Sequence, residues 1–97
     1  MNIFVDIDGT ICTINNQHDY YLAEPIQKNI DKINKMYDEG NNITYWTARG
    51  AESGDDWEVF TLGQLVKWKC KFHCLLCNSK PSFDMLIDDK AININQL

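Results

Sequence analysis

The sequence predicts an α/β domain with a mostly parallel sheet, and two observations support this. Short apolar runs of four or five residues alternate along the chain with segments whose apolar residues recur every three or four positions. The first pattern is typical of buried strands and the second of amphipathic helices. Alternating strands and helices form parallel sheets through right-handed crossovers, and ligands bind beyond the carboxyl ends of their strands.

The first strand and the first helix have clear local signals. Residues 3–7 are β-branched and aromatic, apart from one aspartate, which predicts a strand that ends at a loop. Pro25 suits the first turn of a helix, and Gly40 favours the end of one. The apolar face of the helix between them carries Ile26, Ile30, Ile33 and Tyr37.

The remaining elements follow in order. Residues 43–46 predict a second strand, and the polar, glycine-containing stretch 47–56 predicts a loop. Apolar residues at helical spacing predict a second helix over about residues 57–68. Residues 72–76 and 84–87 predict a third and a fourth strand, of which the fourth again ends on acidic residues.

Size, composition and charge limit the classes of protein and partner. A chain of 97 residues with 44% hydrophobic residues predicts one globular domain, residues 1–97. Its small core makes a homo-oligomer an expected way to cover apolar surface. The net charge of −5, without a basic run, argues against nucleic acid as the main partner.

No membrane partner is expected, and a cytoplasmic location is predicted. The first residues do not resemble an export signal, and no apolar run reaches the ~20 residues that span a bilayer. The four cysteines are therefore expected to be thiols. Three of them, with His73, have a spacing that could suggest a metal site, but their placement across a strand makes free thiols the better interpretation. The four cysteines are Cys12, Cys70, Cys74 and Cys77, and the last three have the spacing that could suggest a metal site.

Acidic pairs follow two predicted strands. Asp6 and Asp8 lie where the first strand ends, and Asp88 and Asp89 directly follow the fourth. An unpaired buried carboxylate is costly, so acids at converging strand ends predict a bound cation. Carboxylate oxygens suit Mg²⁺. The alternative is that the acids are helix caps or turn residues, where aspartate is common.

With these motifs the chain resembles the haloacid dehalogenase superfamily. The resemblance rests on Asp-x-Asp-Gly-Thr at residues 6–10, Thr47 after the second strand, Lys80 before Pro81, and the acidic pair at residues 88–89. All four motifs occur in the family order. The stretches around Thr47 and Lys80 look like a small bacterial and phage subgroup associated with capsule synthesis. The resemblance implies a Rossmann-like three-layer sandwich, here without a cap domain.

The resemblance also implies roles for the acidic residues. Asp6 would be the nucleophile that forms an aspartyl phosphate, and Asp8 the general acid and base. Mg²⁺ would be bound by the Asp6 side chain, the Asp8 backbone carbonyl and Asp88. Asp89 would be a supporting residue that orients Lys80 or a metal-bound water.

The phosphate-binding residues are inferred in the same way. Thr47 would donate a hydrogen bond to the phosphoryl group, and Lys80 would supply a positive charge. Gly9 and Thr10 would belong to the turn that approaches phosphate, since glycine permits a tight turn. Arg49 could bind a second anionic group, or it could be a surface arginine paired with Glu52.

The chain is predicted to be a Mg²⁺-dependent phosphomonoesterase that acts on a small phosphorylated substrate, such as a sugar phosphate. The alternatives are a nucleotide or nucleic-acid end phosphatase and a non-catalytic, metal-binding regulatory domain.

Two short loops leave no room for a cap, so the site is expected to be open or covered by a neighbouring subunit. Besides Arg49, the candidate loop contacts are His18, Asp19, Tyr20, Tyr21, Glu52, Asp55 and Asp56.

Overall fold

The computed structural model describes residues 1–17, 19–51 and 53–97. Three strands alternate with two helices, as the sequence predicts for its first five elements. Two short 3-10 helices lie outside this unit, at Tyr20–Leu22 and Ile94–Gln96. The main elements are β1 (Asn2–Asp6), α1 (Gln27–Asp38), β2 (Asn42–Thr47), α2 (Glu58–Lys67) and β3 (Cys74–Cys77).

The three strands form a parallel sheet in the order β1-β2-β3. In this register Asp6 lies opposite Trp46 and Trp46 lies opposite Leu76. The carboxyl ends of β1 and β2 are therefore adjacent, which is the edge where parallel α/β sheets bind ligands. The prediction of a parallel α/β domain is confirmed, and the sheet is consistent with a Rossmann-like fold.

Both helices contribute to a single apolar core. The spacing of three residues between Ile30 and Ile33 places both side chains on one face of α1, where they are buried. Leu65 is the fully buried apolar residue of α2. Gly40 ends the first helix with a φ of 96°, as its position predicts. The buried core consists of Val5, Ile7, Ile11, Cys12, Ile30, Ile33, Ile43, Tyr45, Leu65 and Trp68.

The predicted third layer is not found. With right-handed crossovers, the strand order β1-β2-β3 places α1 and α2 on the same face of the sheet. Phe4 and Trp46 lie on the other face with ring centroids 5.3 Å apart, and Phe4 is 55% exposed. In the described ranges no helix covers that face, so the domain has two layers rather than three.

The predicted fourth strand is also not found. Residues 84–87 have no strand partner, and the Met85 and Ile87 side chains are 76% and 89% exposed. The apolar character of this segment led to the prediction, but a strand also requires a neighbouring backbone with which to exchange hydrogen bonds. Within the part of the chain that the structure describes, β1 pairs only with β2, so its other edge is open.

The cysteines agree with a further expectation. All four cysteines are free, which confirms the prediction of thiols. Cys12 is buried in the core, whereas Cys74 on β3 is exposed. Among the helices of the described residues, none has both the length and the apolar character needed to cross a bilayer.

Candidate active site

Asp6, the last residue of β1, meets two of the other predicted site residues. Its Oδ1 accepts a hydrogen bond from Lys80 Nζ at 2.6 Å, and its Oδ2 accepts one from Thr10 Oγ1 at 3.2 Å. The Asp6 side chain remains 35% exposed, while that of Lys80 is 13% exposed. A carboxylate held at a strand end by a cation is thus still open to solvent.

The turn after β1 is stabilised by its own backbone. The amides of Thr10 and Ile11 both donate to the Ile7 carbonyl, at 3.1 and 3.0 Å. Gly9 has a φ of 85°, a conformation that residues with a Cβ rarely adopt. A Cβ at this position would also lie 3.1 Å from Cδ1 of Ile14. The glycine therefore has the conformational role in the turn that its sequence position suggests.

Asp8 is held by a bidentate ion pair with Arg49. Arg49 Nε donates to Asp8 Oδ2 at 3.0 Å, and Arg49 Nη2 donates to Asp8 Oδ1 at 2.8 Å. The Arg49 side chain is fully buried, whereas that of Asp8 is 22% exposed. Burial acts to lower the pKa of Arg49, but the hydrogen bonds to Asp8 and its charge outweigh this and raise the pKa. The guanidinium stays charged and fixes the direction of the Asp8 carboxylate.

Two α2 residues complete the surroundings of Arg49. Its Nη1 donates to Thr61 Oγ1 at 3.1 Å and to Gln64 Oε1 at 2.5 Å. Its guanidinium carbon lies 4.6 Å from the centroid of the Tyr20 ring. Arg49 therefore faces inward. The prediction that it binds a second anionic group does not fit this position, because its hydrogen-bonding groups are already used by the protein.

Sequence reasoning missed Thr61 and Gln64. Both lie on α2, three residues apart, on the same side as the buried Leu65. Polar residues on the core side of an amphipathic helix are a usable signal, because buried polar groups need partners. That signal could have identified Thr61 and Gln64 as partners of a buried charged residue. It could not have shown which charged residue they contact.

Thr47 ends β2 and is 1% exposed. Its Oγ1 accepts a hydrogen bond from the Arg49 backbone amide at 3.1 Å, which stabilises the turn that directs Arg49 inward. A hydroxyl that accepts one bond still has a hydrogen to donate. The role of Thr47 as a phosphate donor stays a prediction.

Asp88 and Asp89 lie on the exposed C-terminal segment. Asp88 lines a cavity of about 880 Å³ that is also lined by Asp6 and Lys80. A hydrogen bond with Asp89, followed by one from the Lys90 backbone amide, lowers the pKa of Asp88 below its usual value. Asp89 therefore contacts its neighbour rather than Lys80, and its other predicted role, to orient a metal-bound water, stays a prediction.

The predicted Mg²⁺ ligands suit the ion in chemistry, and the metal site stays a prediction. Carboxylate oxygens such as those of Asp6 and Asp88 are suitable ligands for Mg²⁺. Across residues 1–17, 19–51 and 53–97, however, no three acidic, histidine or cysteine side chains are grouped closely enough to hold a metal. The Asp8 side chain is paired with Arg49, whereas the ligand predicted from Asp8 is its backbone carbonyl.

The predicted loop contacts occupy different positions. Asp56 caps the start of α2, since its Oδ1 accepts a hydrogen bond from the Glu58 amide at 3.0 Å. Asp55 is exposed, and its amide donates to Ser53 Oγ at 3.2 Å. Tyr21 is 68% exposed. Asp19 and Tyr20 line a cavity of about 110 Å³ beside Asp8. His18 and Glu52 lie outside the described residues.

Cys12 is buried beneath the Asp8 carboxylate. Its Sγ donates to Asp8 Oδ1 at 3.5 Å and to the Ile7 carbonyl at 3.7 Å. Burial, followed by the charge of Asp8, raises the pKa of this thiol from 9.0 to about 12. At neutral pH Cys12 is thus a protonated, weakly polar core residue rather than a nucleophile.

The raised pKa of Cys12 predicts that the protein loses folding stability at alkaline pH. Folding raises the pKa of the Cys12 thiol above its ordinary value of 9.0. The thiol therefore contributes its full stabilisation of the fold below pH 9, and this contribution declines as the pH rises toward 12. At pH 10 the contribution of Cys12 should be reduced by about 1.4 kcal/mol. Urea unfolding at pH 8 and pH 10 should therefore show a smaller decline for Cys12→Ala than for wild type. Cys74→Ala, at an exposed thiol, is the control, and equal declines in the two variants would refute the assignment.

Comparison with known proteins establishes the fold alone. No family model matches the chain, and no curated protein matches it. A crystal structure of a Vibrio cholerae structural genomics target is similar, with a TM-score of 0.82 and 23% sequence identity. The similarity covers 98% of this chain and 85% of the Vibrio cholerae chain. The α/β arrangement described above is therefore shared with a solved structure.

Proposed function

We propose that the chain is a Mg²⁺-dependent phosphomonoesterase of the haloacid dehalogenase type, acting on a small phosphorylated substrate. The observation that carries the proposal is the environment of Asp6. This carboxylate ends β1, is 35% exposed, and lies 2.6 Å from Lys80 Nζ. Asp6 is accessible to a substrate, and the nearby cation would attract a phosphate dianion.

The proposed reaction has two displacements. Asp6 attacks phosphorus, and the bond between phosphorus and the ester oxygen breaks as that oxygen takes a proton from Asp8, which enters this step in its protonated form. Water then attacks the aspartyl phosphate while Asp8 takes back a proton, which releases inorganic phosphate and restores Asp6. Lys80 and the Thr10 hydroxyl, which contact opposite oxygens of Asp6, would stabilise the phosphoryl oxygens as negative charge shifts onto them.

Arg49 acts in this scheme through Asp8. Its bidentate contact, at 3.0 and 2.8 Å, orients the carboxylate that transfers the proton. The contacts with Thr61 and Gln64 hold the guanidinium in place, so Asp8 cannot rotate freely. As the carboxylate of this ion pair, Asp8 is oriented to accept a proton from the attacking water without reorientation in each catalytic cycle.

Mg²⁺, when bound, would neutralise charge between the anionic nucleophile and the anionic phosphate. Asp6 and Asp88 are the side chains that would hold it, together with the Asp8 carbonyl. Asp6 and Asp88 line the same cavity, which supports this choice. Among the described residues no three acidic, histidine or cysteine side chains form a metal-binding group, and this observation favours the second candidate function, a non-catalytic domain that binds a phosphorylated ligand at Lys80 and Asp6.

Release of inorganic phosphate from a chromogenic phosphate ester, with Mg²⁺ or with a chelator, tests the proposal. We expect release with Mg²⁺ and a return to background with the chelator. Addition of Mg²⁺ beyond the chelator should restore the rate. An absence of phosphate release in all conditions would contradict the proposed phosphatase activity and favour the second candidate, the non-catalytic binding domain.

A further inference from the structure

The outer face of α2 is apolar and exposed. Val59, Leu62 and Val66 recur at spacings of three and four residues, so they share one side of the helix. They are 82%, 43% and 64% exposed. Another side of the helix packs on the core through the buried Leu65. Aliphatic residues grouped on one exposed helix face, rather than scattered singly, are typical of an interaction surface.

Gly63 lies on the same face, four residues after Val59. Its backbone is helical, so the conformation of α2 does not require a glycine, and glycine weakens the interior of a helix. Among the described residues, no atom lies within 4 Å of a Cβ built at this position. Packing within the chain therefore does not explain the glycine. A second helix lying across this face could approach closely at Gly63, because no side chain would separate the two backbones.

These four residues, Val59, Leu62, Gly63 and Val66, form the α2 stripe, whose pattern matches its own reverse. The two valines lie at equal distances from the midpoint between Leu62 and Gly63. A two-fold axis at this midpoint, perpendicular to the helix, would place Val59 against Val66 of a second copy. Leu62 and Gly63 of both copies would lie at the centre. Homodimer interfaces are built in this way, from one surface that is complementary to itself.

The two ends of α2 carry opposite charges. Asp55, Asp56 and Glu58 are exposed at the amino end, and Lys67 and Lys69 are exposed at the carboxyl end. An antiparallel pair of helices brings the acidic end of each copy to the basic end of the other, whereas a parallel pair would bring like charges together. Charge complementarity therefore favours the same arrangement as the reversed pattern of the α2 stripe.

We propose that the α2 stripe is the interface of a homodimer, in which two α2 helices pack antiparallel across a two-fold axis. The aliphatic side chains form the dry centre of this interface, and the charged helix ends form its rim. Three side chains cannot supply all of the about 800 Å² that each partner of a standard interface buries, so the dimer should dissociate on dilution. The dimer would form whether or not the chain hydrolyses phosphate.

Sedimentation velocity over a wide range of protein concentration tests the dimer. Wild type should approach twice the 11.3 kDa mass of one chain as the concentration rises. Gly63→Gln should raise the dimer dissociation constant at least about tenfold, because the new side chain would hold the helices apart. Glutamine is a good helix former with open space at this position, so the monomer should still fold. A monomer at every concentration, or a dimer unaffected by Gly63→Gln, would overturn the proposal.

Val66→Lys tests the apolar centre. The variant should raise the dissociation constant about tenfold or more, because an ammonium group would lose water in the interface. Lysine is a better helix former than valine, so circular dichroism should show a folded chain. Met85→Lys makes the same change in net charge at a residue that is 76% exposed and outside α2, and should dimerise like wild type. Equal losses of dimer in the two variants would contradict the assignment of the interface to α2.

An exchange of charges tests the antiparallel orientation. Glu58→Lys or Lys67→Glu alone would place like charges at both junctions of the dimer, and each should weaken association severalfold. The double variant restores opposite charges at these junctions and should dimerise more tightly than either single variant. Added salt should reduce the differences, since the charged residues are exposed. A double variant no tighter than the single variants would refute the antiparallel arrangement.

Discussion

Asp6→Asn is expected to reduce phosphate release by at least about a thousandfold, which is a loss of about 4 kcal/mol in transition-state stabilisation. The substitution replaces the attacking carboxylate by an amide, which is a poor nucleophile. The side chain keeps its size, its oxygen can still accept from Lys80, and its amide nitrogen can donate to the Thr10 hydroxyl. Initial rates with the chromogenic ester, at saturating Mg²⁺, measure the effect.

Asp38→Asn is the control for the same chemical change. Asp38 is an exposed residue that pairs with Lys71 at 2.8 Å, and its loss should leave the rate within about a factor of two, because exposed ion pairs contribute little. Circular dichroism should show that both variants fold. Hydrolysis by Asp6→Asn at more than a tenth of the wild-type rate would be inconsistent with a nucleophilic Asp6.

Arg49→Met is expected to lower the free energy of unfolding by about 2–4 kcal/mol. The substitution leaves Asp8 without its bidentate partner and removes the donor that Thr61 and Gln64 share. The estimate lies below the range for fully buried pairs because the Asp8 side chain is 22% exposed. Chemical denaturation at pH 7 measures the change.

Lys71→Met is the matched control, since it breaks an exposed ion pair of the same length, 2.8 Å. It should cost less than about 1 kcal/mol. Arg49→Lys should fold better than Arg49→Met but should still hydrolyse the ester poorly, because a lysine cannot make the bidentate contact that orients Asp8. Equal destabilisation by Arg49→Met and Lys71→Met would mean that the buried ion pair has no structural importance.

The features that sequence reasoning recovered are those with local causes. The turn at Gly9 follows from the conformational freedom of glycine, and α1 follows from the spacing of Ile30 and Ile33. The contact between Lys80 and Asp6 links positions 74 residues apart. It was expected only because the resemblance places these two residues in one site.

The features that sequence reasoning missed depend on long-range packing. Arg49 follows a strand and precedes a polar loop, so nothing next to it in the sequence indicates burial. Its direction is determined by Asp8, 41 positions earlier, and by Thr61 and Gln64 on α2. Residues 84–87 have the apolar composition of a strand, but strand formation also requires pairing, which composition does not specify.

The covalent state of Asp6 during turnover tests the account most directly. Wild-type protein mixed with substrate and Mg²⁺, quenched in acid within the first turnover and analysed by mass spectrometry should carry one phosphoryl group on the peptide that contains Asp6. The adduct should be absent from Asp6→Asn treated in the same way. Phosphate release by wild type without any adduct, or an adduct on a different residue, would contradict the proposed mechanism.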